Sequence, residues 1–118
     1  MQLAKMAWPD VETYLAHTPG IMLPVGSTEQ HGPMGMIGTD ALCAEAVALA
    51  AAERCGCVVA PTLSYTPAPF NTSFPGTLSL SSETFRQMAA EALGLPVDAI
   101  TGWCTSAIWW TGVCNPGR

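Results

Sequence analysis

The chain has 118 residues, 49% of them hydrophobic and 11% charged, and its nine acidic and four basic side chains give a formal net charge of -5. Charged residues usually make up about 25% of a globular chain, so this one has the apolar content for a core and lacks the signature of disorder. Four bases (Lys5, Arg54, Arg86 and Arg118) are too few to neutralise a run of phosphates, which excludes nucleic-acid binding. Glu45, Glu53 and Arg54 interrupt the longest apolar stretch before the ~20 residues a membrane helix needs, so no membrane span is expected. The N-terminus has no basic region leading into an apolar one, and the expected location is cytoplasmic.

The length predicts one domain. Trp8-Pro9-Asp10 opens a short helix, with Pro9 suited to its first turn, and Thr18-Pro19-Gly20 ends it. Residues 21–25 form a continuous apolar run, which fits a strand buried on both faces. A polar, glycine-rich stretch follows over 26–39. Thr39 or Asp40 is positioned to cap a second helix reaching about residue 54, with Leu42, Cys43, Ala46, Val47, Leu49 and Ala50 as its apolar stripe. Residues 57–60 read as a second strand, and 61–76 as a long loop rich in Pro, Thr, Ser and Asn. Ser81 or Ser82 caps a third helix that carries Phe85, Met88, Ala89 and Ala92 on one face.

This order, β-α-β followed by a helix, predicts a parallel sheet with right-handed crossovers. Both long loops then leave the C-terminal ends of their strands and share the sheet edge where open α/β proteins bind ligands. Residues 94–118 differ in character. They hold two charges, Asp98 and Arg118, and three of the four tryptophans (Trp103, Trp109 and Trp110). Residues 107–110 have strand-like content, but no polar residues bracket them. The expected organisation is a domain portion over 1–93 and a divergent Trp-, Cys- and Gly-rich tail over 94–118, with the tryptophans covering a sheet edge or driving association. The five cysteines (Cys43, Cys55, Cys57, Cys104 and Cys114) include no C-x-x-C pair and read as reduced thiols packed as small apolar residues.

The densest polar cluster is Gly26-Ser27-Thr28-Glu29-Gln30-His31-Gly32-Pro33, closing at Thr39-Asp40. Glu29 and His31 sit two apart, so an extended segment points both to one side. Glycines 32, 35 and 38 and Pro33 let the loop return Asp40 to them. Mixed imidazole and carboxylate ligation suits zinc or manganese. On spacing alone a second reading stands beside this one: Asp40 as a helix cap, Glu29 and His31 as surface loop residues.

The wider string Leu23-Pro24-Val25-Gly26-Ser27-Thr28-Glu29-Gln30-His31-Gly32-Pro33, followed by Gly38-Thr39-Asp40, resembles the signature of the creatininase (creatinine amidohydrolase) family. Phe74-Pro75-Gly76-Thr77-Leu78-Ser79-Leu80 resembles that family's F-P-G-T-x-S-L segment, and Trp8-Pro9 fits its opening. The resemblance covers about residues 8–93, the N-terminal part of the family's domain. It implies a three-layer α/β/α sandwich with a mostly parallel sheet, incomplete here, and assembly into homo-oligomers, commonly hexamers. It implies hydrolysis of a C–N bond in a small cyclic or linear amide at a two-metal site holding zinc and often manganese. Carried over by position, Glu29 binds one metal, His31 the other, and Asp40 bridges both.

The chain departs from the family pattern in three places. Met34 stands where many members have His, and Ser73 stands where a His often precedes F-P-G-T. The N-G-H-type motif that completes the metal site is absent, since His17 and His31 are the only histidines. Two functional expectations follow: a metal-dependent amidohydrolase, or a catalytically silent truncated or frameshifted remnant of one. Translating the other frames beyond Leu93 separates them. A thiol-based redox protein, resting on the five cysteines alone, is a third.

Overall fold

The computed structural model describes residues 1–18, residues 20–100, and the backbone of a strand at 108–111. The first helix, α1, is Trp8–Leu15, with Pro9 in its opening turn and the Ala7 N–H donating to the Asp10 carboxylate at 3.3 Å. Strand β1 is Ile21–Pro24, helix α2 is Thr39–Cys55, strand β2 is Val58–Val59 and helix α3 is Ser82–Leu93. Single 3-10 turns at Leu3–Lys5, Pro69–Asn71 and Val97–Ala99 fill connections.

Strand β1 is central. It pairs in parallel with β2, Ile21 opposite Val58 and Met22 opposite Val59. On its other edge Ile108–Thr111, β3, runs antiparallel, Met22 opposite Trp110 and Leu23 opposite Trp109. The segment that the sequence leaves without bracketing residues thus adds a strand to the sheet. How Trp103, Trp109 and Trp110 pack lies outside the described residues.

The alternation of side chains along a strand builds the layers. Met22 from β1 and Cys57 and Val59 around β2 pack on one face against Ala48 and Ala52 of α2. Leu23 and Val25 point to the other face, where Phe85 and Ala89 of α3 meet them. Helix, sheet, helix is the expected three-layer order.

Three local expectations differ from the structure. Helix α2 buries Ala44, Ala48 and Ala52; of the expected stripe Leu49 packs against that core, while Leu42, Cys43, Ala46, Val47 and Ala50 are exposed. Almost every face of this helix is apolar, so periodicity does not single one out; methyl-sized side chains four apart let the helix lie close on the sheet. In α3, Ala90 is buried and Ala92 is exposed. The N-cap position of α2 is Gly38, and neither Thr39 nor Asp40 caps by its side chain. Thr39 instead donates from its hydroxyl to the Met36 carbonyl at 2.6 Å. Ser81 caps α3 as expected, accepting from the Thr84 N–H at 3.1 Å. Among the described residues no helix is long and apolar enough to cross a membrane.

Candidate metal centre

The loop after β1 and the loop after β2 meet at the C-terminal edge of the sheet. The Gly26 N–H donates to the Leu63 carbonyl at 3.1 Å and the Thr28 hydroxyl to the Ser64 carbonyl at 3.0 Å. Gly26 is required here: a Cβ on it would lie 2.4 Å from the Asp40 carbonyl carbon and oxygen. That contact seats the first turn of α2 directly on the end of β1 and aims Asp40 back over the loop.

Residues 28–30 are held from three directions. The Leu78 N–H donates to the Thr28 carbonyl at 2.9 Å, the Glu29 N–H to the Ile37 carbonyl at 2.9 Å, and the Gln30 N–H to the Thr77 hydroxyl at 3.1 Å. The motif around Phe74-Pro75-Gly76-Thr77 is therefore a clamp for the motif around Glu29. Gly76 makes the turn with φ of +88°.

So held, one ligand atom from each of Glu29, His31 and Asp40 lies within 4.8 Å of the others. His31 Nε2 is 3.5 Å from Asp40 Oδ2, close to the edge of a tetrahedron of zinc-like bonds, about 3.3–3.4 Å for bonds of ~2.0–2.1 Å. Asp40 is the better covered of the two, His31 the more open. Among the described residues no Lys or Arg pairs with either carboxylate.

Two side chains outside the expected ligand set complete the cluster. Ser27 is fully buried, and its Oγ lies 2.8 Å from Glu29 Oε1 and 2.6 Å from Asp40 Oδ2. One hydroxyl carries one hydrogen, so it serves one carboxylate at a time and leaves the other short of a donor. Asn71 donates from Nδ2 to Glu29 Oε2 at 2.6 Å, while its Oδ1 accepts from Gln30 Nε2 at 2.9 Å. Two anionic groups, one imidazole and too few hydrogens make a donor set that fits a divalent cation. Ser73 makes no such contact, and His17 is exposed past the end of α1, its Nδ1 3.0 Å from the Thr13 carbonyl. That places His17 at the opposite end of β1 from the cluster. Beside the cluster a cleft of about 410 Å³ is lined by Gln30, Gly32, Ile37 and Phe74 among others.

The profile of the creatininase family, described as creatinine amidohydrolase, matches residues 4–94. The chain is 38% identical over 82 residues to the mycofactocin precursor peptide peptidase of Mycobacterium ulcerans (strain Agy99), an alignment covering 62% of this chain and 33% of that protein. It is 36% identical over 88 residues to the creatinine amidohydrolase of Pseudomonas putida, covering 70% of this chain and 34% of that one. The chain thus spans about a third of the length of these relatives. A solved structure described as creatininase with Mn superposes with a TM-score of 0.72 at 31% identity, covering 78% of this chain and 38% of that one. A mutant creatininase of Zn-Zn type gives 0.71 at 32% identity with the same coverage. Sequence and fold agree that the chain belongs to the creatininase family of hydrolases.

Proposed function

We propose that this chain is the metal-ligating part of a creatininase-type amidohydrolase, with Glu29, His31 and Asp40 as ligands for zinc and with manganese as the second metal. The observation that carries this reading is the convergence of those three side chains within 4.8 Å at the C-terminal edge of the sheet. When bound, a pair of divalent cations lowers the pKa of a water and polarises an amide carbonyl, the two requirements of C–N hydrolysis. The chain's own residues prepare the site. Ser27 sits between Glu29 and Asp40, Asn71 holds the outer oxygen of Glu29, and the cleft beside Gln30 has the size for a small cyclic or linear amide.

Histidine count favours a second reading for the 118 residues taken alone. His17 is remote, so the cluster holds one imidazole, and no other histidine exists to complete a two-metal site. The chain by itself binds zinc weakly and does not turn over amide. Exposed Met34 and Phe70 near the clamp supply apolar surface for homo-oligomers.

Zinc titration against a chromophoric chelator tests the ligand assignment: Glu29→Ala, His31→Ala and Asp40→Ala should each lower affinity at least ~10-fold, as loss of one of three ligands demands. Zinc binding retained in His31→Ala overturns it. Creatinine and linear-amide hydrolysis is then assayed for this chain and for a fusion carrying the C-terminal half of a family member. Activity in the fusion, lost in Asp40→Ala, supports the amidohydrolase. Chelator-sensitive turnover by the short chain alone refutes the silent reading.

A further inference from the structure

Cys55 and Cys57 lie at the opposite end of α2 from the cluster at Asp40. Cys55 is the last residue of that helix and exposed; Cys57 enters β2 and is buried. Gly56 between them is left-handed, φ 71° and ψ 17°. That is the mirror image of helical geometry, which places the flanking Cα atoms about 5.4 Å apart. A disulfide bridges Cα separations of ~4.4–6.8 Å. Only glycine adopts this turn without strain, so the residue that ends the helix also brings the two thiols together.

Cys57 is the neighbour that acts on the Cys55 thiol, through its side chain first and its backbone second. Hydrogen bonding from Cys57 brings the Cys55 thiol below the ordinary thiol range. Behind Cys57 stands Tyr14, whose hydroxyl donates to the Gly20 carbonyl and accepts from the Val58 N–H at 3.2 Å. An exposed thiol therefore stands two residues from a buried one across a tight turn.

We propose that Cys55 and Cys57 form a dithiol redox site that exchanges with low-molecular-weight disulfides, Cys55 attacking and Cys57 resolving. The Cys55 thiolate attacks one sulfur of the small disulfide; a Cys55–S bond forms, the small S–S bond breaks, and one thiolate leaves and takes up the proton given up by Cys55. Cys57 then attacks the Cys55 sulfur as thiolate. The internal disulfide forms, the second small thiolate departs, and the Cys57 proton goes to it. Net, the two protein thiols are oxidised and one small disulfide is reduced to two thiols.

Trypsin isolates the pair: cleavage after Arg54 and Arg86 releases residues 55–86, whose only cysteines are Cys55 and Cys57. The full chain is exposed to oxidised glutathione, blocked with iodoacetamide, digested and weighed. The expected 55–86 peptide is two hydrogens lighter than the dithiol and carries no glutathione, and it forms severalfold faster than glutathione adds to exposed Cys43. Cys57→Ser should trap glutathione on Cys55, with Cys57→Ala as a second variant for a site that does not accept the hydroxyl. In Cys55→Ser, Cys57 should stay unmodified over the same interval. Stable glutathione on wild-type Cys55, or a dithiol peptide after Cys43 has reacted, overturns the proposal.

Discussion

Asn71→Ala removes one donor from the proposed metal cluster and leaves its three ligand side chains in place. Asn71 Nδ2 lies 2.6 Å from Glu29 Oε2 and is the donor on that oxygen, while Gln30 fixes the amide through Asn71 Oδ1 at 2.9 Å. A hydrogen bond to a charged group is worth about 1.5–3 kcal/mol. Partners that orient a metal ligand are worth about 10–100-fold in metal affinity, which converts to about 1.4–2.8 kcal/mol. The two figures agree, and the half-buried setting of Asn71 places the loss toward the lower end. Asn71→Ala should weaken zinc by about tenfold in a chelator competition and lower the urea midpoint modestly. Asn71→Asp is the sharper probe. It still accepts from Gln30 but turns a carboxylate toward Glu29, so the metal-free protein should be less stable than Asn71→Ala and gain more from zinc. Zinc affinity within twofold of wild type in Asn71→Ala, alongside its loss in Glu29→Ala, would refute the argument that Asn71 positions Glu29.

Three further outcomes follow. Gly26→Ala forces a methyl to within 2.4 Å of the Asp40 carbonyl, so α2 must shift off β1; stability should fall by about 1–3 kcal/mol in urea unfolding, and zinc affinity with it. Thr77→Val keeps the shape but loses the hydroxyl that accepts from the Gln30 N–H, and should weaken zinc several-fold with helix content unchanged by circular dichroism. Burial raises the Tyr14 hydroxyl above its usual 10.0, so the stability it contributes is complete below that pH and is lost as pH rises through the higher folded value. Tyr14→Phe should therefore flatten the alkaline limb of the stability-pH profile, measured by thermal unfolding between neutral and strongly alkaline pH.

The parts of the fold that were legible in the sequence are those where side-chain chemistry varies along the chain. Helix α3 alternates Glu83, Gln87 and Glu91 with Phe85 and Ala89, so its inner face could be read, and Ser81 announced its start. Helix α2 carries apolar residues around its whole circumference. Hydrophobicity cannot choose a face there; residue size does, and the choice is settled only against the sheet. The same limit applied to the α2 start. Asp40 has the chemistry of a cap, but its carboxylate is taken by Ser27 and faces His31, a tertiary arrangement with no local sequence signature. Glu29, His31 and Asp40 stood out through the string that resembles the creatininase signature; spacing alone left a helix cap and two surface loop residues as an equal reading. Ser27 and Asn71 did not stand out, since a serine after a strand and an asparagine in a Pro- and Thr-rich loop look like ordinary loop polarity. The usable signal was positional: both follow strands that end at the same sheet edge.

A glycine-rich loop is a poor place to assemble ligands, because ordering each residue costs about 1–2 kcal/mol of backbone entropy. The structure meets that cost before any cation arrives. Thr28, Glu29 and Gln30 are each tied by a main-chain hydrogen bond to a different partner, at Leu78, Ile37 and Thr77. The partners at Thr77 and Leu78 lie on the far loop, so the two motifs, separated by more than forty residues, act as one unit. The glycines then serve close approach more than flexibility: Gly26 admits the α2 backbone, and Gly76 turns the clamp past Ile37. The residues between the proposed ligands, which offer a cation nothing, are what bring Glu29 and Asp40 close together.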